Sequence, residues 1–217
     1  MNKSKLLSAC FALSLLISTS VFAQSDAKST AILKSVSAKY KSYKSLSASF
    51  KLSRVDQKTK ASENFSGTIL LNGPKFQFVL NNQTVMSDGA STWTFLKESN
   101  EVQISESKAV EGAISPTNIF TMYEKGFKTK YIGDKKEKSG TVQQIELTPD
   151  DTKKNYFKIL LHIDKAGQFV KEAKIYEKSG AILTYSIVKF TPNSPVNDNM
   201  FVFDAKKYPG VDVIDLR

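Results

Sequence analysis

From Leu46 onward the chain alternates apolar and polar side chains, the period of strands that bury one face. The alternation and its interruptions predict eleven strands, over 46–55, 63–72, 75–81, 84–88, 91–97, 101–106, 127–133, 141–148, 155–164, 169–177 and 181–190. Turn formers punctuate them, among them Asn72-Gly73-Pro74, Asp88-Gly89 and Ser179-Gly180. Asp88-Gly89 predicts a type I′ hairpin, which needs φ > 0 at both central positions. Consecutive strands at such short spacing predict one large antiparallel meander that curls into a barrel.

Two segments break the alternation. In "DAKSTAILKSVSAKYKSYKS" Ile32, Leu33, Val36, Tyr40 and Tyr43 fall on one stripe of a 3.6-residue period, so an amphipathic helix precedes the strands. "ISPTNIFTMYEKGF" (114–127) offers Ser115 as N-cap, Pro116 at the first helical position and Gly126 as a stop. It predicts a short helix with Ile119, Met122 and Tyr123 on one face and Phe120 beside it, laid over the sheet. A barrel of eleven strands is too wide for its own side chains to fill, so it holds a cavity or needs a plug. Phe76 with Phe78, Trp93 with Phe95, Val102 with Ile104, Ile145 with Leu147, and Leu161 with Ile163 are period-two pairs expected to share one wall.

The first residues change where such a protein would work. "MNKSK" is a basic n-region, "LLSACFALSLLISTSVF" an apolar run, and "VFA" before Gln24 a small-residue cleavage pattern. This predicts a signal peptide over 1–23 and a single exported domain over 24–217. "LSAC" at 7–10 resembles a lipobox, but most of the hydrophobic run follows Cys10, whereas a lipobox cysteine ends that run. Cys10 is therefore expected to leave with the leader, and disulfides and thiol chemistry leave with it. The formal charge of +10, less Lys3 and Lys5, becomes +8 for the mature chain. In an exported protein that excess points to anionic lipid headgroups or acidic proteins rather than nucleic acid, or simply to a solvated lysine-rich surface.

Candidate chemistry is sparse. His162 is the only histidine, and it alternates with Ile159, Leu161 and Ile163, so it is expected on the opposite face beside Lys158, toward solvent. One histidine supports neither a multi-histidine metal site nor a His-centred triad. The acids of "TPDD" (148–151) occupy a turn, and no glycine-rich phosphate loop precedes a helix. The expectation is a non-enzyme without a cofactor.

The order of fragments resembles the LolA family of periplasmic lipoprotein carriers. An amphipathic helix running into "LSASFKLSR", then "FSGTILLNGPKFQF", "TVMSDGASTWTF", "SPTNIFTM" at the place of a helical lid, and "FVFDAKKYPGVDVID" near the end are each similar to the corresponding family pattern. The resemblance covers the mature chain and implies an unclosed antiparallel barrel with a helical lid over a hydrophobic cavity. It implies acylated lipoproteins as cargo, an inner-membrane ABC transporter that releases them, and an outer-membrane receptor or the membrane itself as acceptor, with the carrier a monomer. Several long acyl chains in water cost on the order of 30 kcal/mol, so such cargo needs an apolar cavity. On this resemblance the acyl chains would lie against Phe76, Phe78, Trp93, Phe95, Ile119, Phe120 and Tyr123. The alternative is a binding or sensor protein on the same half-barrel for another lipid or amphiphile.

One position departs from the family pattern. Where members carry a basic residue before the turn proline that hydrogen-bonds the lid, this chain has Gly73. Either Lys75 substitutes for that latch, or the lid is held by apolar contact alone.

Overall fold

The computed structural model describes residues 20–107 and 121–217, with side chains from Ala27 onward. Most of the predicted leader and the segment 108–120, including Ile119, Phe120 and the caps Ser115 and Pro116, lie outside the described residues. Helix α1 (Ser20–Ser42) is followed by twelve strands. These are β1 (Leu46–Asp56), β2 (Ser62–Asn72), β3 (Lys75–Leu80), β4 (Gln83–Ser87), β5 (Ser91–Leu96) and β6 (Glu101–Glu106). After a 3₁₀ turn at Met122–Glu124 come β7 (Phe127–Glu137), β8 (Gly140–Pro149), β9 (Tyr156–Asp164), β10 (Phe169–Glu177), β11 (Ala181–Pro192) and β12 (Asp212–Asp215).

All eleven predicted strands form. Their sheet order is β12-β6-β5-β4-β3-β2-β1-β11-β10-β9-β8-β7, two meanders joined where β1 pairs with β11. The order has two free ends, so the barrel is unclosed. The twelfth strand is missed by alternation because it is short and pairs in parallel with β6, an arrangement no hairpin signal announces.

Helix α1 defines the inner face of the sheet. Its predicted stripe is the buried one: Val36 is 1% and Leu33 5% exposed, with Ile32, Tyr40 and Tyr43 packed around them. Beneath lie Ile145, Leu147, Ile159, Leu161 and Ile163 of β8 and β9. Each such side chain contributes ~1.5–3 kcal/mol on burial. This half of the barrel is therefore filled by the helix. Ser29 anchors α1 to β7 through a 2.6 Å hydrogen bond with Thr129, and the Tyr40 hydroxyl accepts from the Val170 amide at 3.2 Å.

The β4–β5 connection differs from the type I′ expectation. Gly89 has φ +96, but Asp88 is not at positive φ. Instead the Asp88 carboxylate accepts from the amides of Ala90 and Ser91, both at 2.8 Å, and holds a three-residue loop. Those two backbone bonds keep its carboxyl below the usual carboxylate range.

Candidate lipid-binding site

The other half of the inner face carries no helix among the described residues. The register runs Phe190–Ala48–Ile69–Phe78–Val85–Thr94 from β11 to β5, and Leu46–Leu71–Phe76–Ser87–Thr92 one pair along. From β11 to β4 these positions are mostly apolar, and Phe76, Phe78, Leu71 and Val85 are only partly covered. Phe50 extends the wall: its ring stacks on Phe78 with centroids 5.6 Å apart and planes 9° from parallel. It can do so because its strand partner is Gly67, where a Cβ would come within 2.5 Å of the ring. At the α1 end the wall opens into a cavity of about 290 Å³ bounded by Tyr40, Tyr43, Leu46, Leu71 and Gly73.

Two of the predicted wall residues belong elsewhere. Phe76 and Phe78 face inward, but Trp93 and Phe95 pair with Met86 and Thr84 and project from the outer face. The inner positions of β5 are Thr92 and Thr94. The apolar side of the sheet thus changes over between β4 and β5. The C-terminal segment explains this, because it covers the outer face of β3 to β6. Phe95 lies 5.3 Å from Phe203 and 4.5 Å from Tyr208, ring to ring, and Met86, Val102 and Phe201 are at most 5% exposed. Val102 and Ile104, the β6 partners of Phe95 and Trp93, share that outer face. The expectation of one shared wall is corrected accordingly. Phe50, Ile69, Leu71 and Val85 are wall residues that periodicity did not single out. Gly67, inside a β-branched stretch, was the available clue that a ring packs over the backbone there.

The latch is also corrected. Lys75 does not reach toward α1: its ammonium pairs with Asp198 at 2.7 Å, on the outer face beside the C-terminal segment. Gly73 has φ +58, so a basic residue there would adopt a left-handed backbone at ~1–2 kcal/mol. A different contact joins the segment before β7 to α1. Glu124 accepts from Lys41 at 2.6 Å and from the Ser37 hydroxyl, while Tyr123 is 3% exposed. The Lys41 bond, then the Ser37 bond, holds the Glu124 carboxyl below its ordinary range.

His162 is on the predicted face but does not meet solvent, being 6% exposed. Its Nδ1 lies 3.2 Å from Glu172 and its Nε2 2.9 Å from the Gln144 amide. Ser186 donates to Glu172 at 3.1 Å rather than to the imidazole. With both ring nitrogens occupied, the histidine activates no nucleophile; the group is a buried polar tie between β8, β9, β10 and β11. Alternation placed the ring correctly but carried no information about the long side chains that close over it.

An open antiparallel barrel with an apolar inner face, part filled by a helix and part only partly covered among the described residues, defines a class of binding proteins for hydrophobic ligands. The chain belongs to the LolA family: the family model described as outer membrane lipoprotein carrier protein LolA matches residues 41–204. No curated protein sequence matches the chain. Similar solved structures include an uncharacterized conserved protein from Thermus thermophilus, with TM-score 0.59, 10% identity, and 87% of this chain and 99% of that one covered. Another is the lipoprotein LppX of Mycobacterium tuberculosis, with TM-score 0.50, 14% identity, and 80% and 99% covered. At these identities the likeness concerns the fold.

Proposed function

We propose that this protein is a periplasmic carrier that takes the acyl chains of lipoproteins onto its inner face and moves them from the inner to the outer membrane. Family membership supports this reading, and the observation that carries it is the group Leu71, Phe76, Phe78 and Val85, inward-facing apolar side chains of β2 to β4 that are only partly covered. Acyl chains laid along that group remove both their own apolar surface and that of Phe76 and Phe78 from water. Ile119, Phe120 and Tyr123 are assigned the cover, as the segment leading into the 3₁₀ turn. The leader is cut after Ala23, and the monomer exchanges cargo with an inner-membrane ABC transporter and an outer-membrane receptor or the membrane itself.

The test is native mass spectrometry of the periplasmic protein beside a Phe78→Glu variant. Acylated proteins bound to the parent and lost from the variant are the expected result, since a carboxylate in the wall is strongly disfavoured beside alkyl chains. Free lipids in place of acylated proteins would favour a carrier of another amphiphile. No apolar ligand of either kind would overturn the reading.

A further inference from the structure

A second pocket lies away from the inner wall, between α1 and the start of β7. It has a volume of about 470 Å³, and its lining includes Leu33, Tyr123 and Phe127 together with Lys34, Lys41 and Lys125. The floor is apolar: Leu33 is 5% exposed, and Phe127 packs against the same core cluster. The rim carries three ammonium groups against one carboxylate, Glu124, which is engaged by Lys41. Lys34 and Lys125 are solvent-exposed and form no ion pair among the described residues. Lys125 acts on Glu124 through space only.

The pocket's own polar groups are spoken for from inside. Tyr123 is 3% exposed with the Ser37 hydroxyl beside it, and Ser37 gives its proton to Glu124. The ammonium groups of Lys34 and Lys125 are left facing the mouth, where an anionic oxygen would lie within their field.

We infer that the α1–β7 pocket is a subsite for an anionic amphiphile, with a phosphate or carboxylate head at Lys34 and Lys125 and its chain on Leu33 and Phe127. The inference rests on the protein being a carrier of hydrophobic ligands, and it adds the charge and position of the ligand head. The volume falls within the roughly 300–1,000 Å³ common for small-molecule pockets. An anion at the rim would also draw Lys41 from Glu124, so filling the pocket loosens the tie between α1 and the 3₁₀ turn.

The experiment is calorimetric titration of the delipidated mature protein with three probes: lysophosphatidic acid, the neutral monoacylglycerol of the same chain, both below their micelle concentrations, and inorganic phosphate alone. The proteins are the parent and a Lys34→Gln/Lys125→Gln double variant. The parent is expected to bind the phosphate-headed probe at least about tenfold more tightly than the neutral one. That gap should shrink to within about twofold in the double variant. Equal binding of both amphiphiles by the parent overturns the anionic subsite and leaves the carrier reading standing. Binding of neither overturns both. Phosphate alone binding as tightly as the phosphate-headed amphiphile makes this a free-anion site and overturns the amphiphile assignment.

Discussion

Phe50 and Phe78 stack 5.6 Å apart over the bare backbone of Gly67, and this contact lets two strands present one flat aromatic surface to the inside of the barrel. A methyl at position 67 would stand 2.5 Å from the Phe50 ring and 2.4 Å from the Val79 carbonyl oxygen, so the ring or the strand must move. Gly67→Ala is expected to lose ~1–3 kcal/mol of stability by overpacking. Urea unfolding of the two proteins measures it, and a variant as stable as the parent would show that the ring is free to swing aside.

Trp93 provides an optical test of sidedness. It projects from the outer face, opposite Phe76 and Phe78, so its emission maximum should stay fixed when the inner wall fills. A brominated acyl chain should leave it unquenched, because bromine quenches at close range. Strong quenching would place the ligand on the outer face instead.

The buried tie on the outer face predicts a pH dependence. The His162 contact first, then Lys174 and Ser186, hold the Glu172 carboxyl at about 2, against an ordinary value of 4.5. A depressed folded-state pKa means that the stabilisation is fully present above about 4.5 and disappears as the pH falls toward about 2. Glu172→Gln should lower stability on the order of 2 kcal/mol near neutral pH, since a charge-assisted bond is replaced by a neutral one. Denaturation series at pH 7 and pH 3 should show the difference narrowing. An equal difference at both values would mean that the carboxylate charge is not what stabilises the tie.

The cover over β3 to β6 is held by apolar burial more than by its ion pair. Phe201 is 0% exposed, so Phe201→Ala is expected to destabilise by ~3–5 kcal/mol. Asp198 is 77% exposed beside Lys75, and Asp198→Asn should change stability by less than ~1 kcal/mol. Thermal melts of both variants distinguish the two contributions.

Strand positions and the stripe of α1 were legible in the chain because both follow from local periodicity. The eleven alternating stretches, the Leu33–Val36–Tyr40 stripe and the turns at Gly73, Gly89 and Gly180 all report on residues a few positions apart. The Asp88 loop was misread because its geometry is set by a side chain that accepts two backbone protons, a choice the Asp-Gly pair leaves open.

Which face of the sheet becomes the inside was a different question. Alternation states that Trp93 and Phe95 share a face and that His162 opposes Leu161, but a strand in isolation has two equivalent sides. Both cases were settled by what arrives to cover each side. Phe201, Phe203 and Tyr208 return over β5 and bury Phe95 on the outside, and Gln144 and Glu172 close over His162. Neighbours along the chain are enough to set the elements and their two-faced patterning. That the inner apolar wall runs from β11 to β4 and stops there follows only from the folded arrangement, because burial is assigned by segments remote in sequence that compete to cover apolar surface.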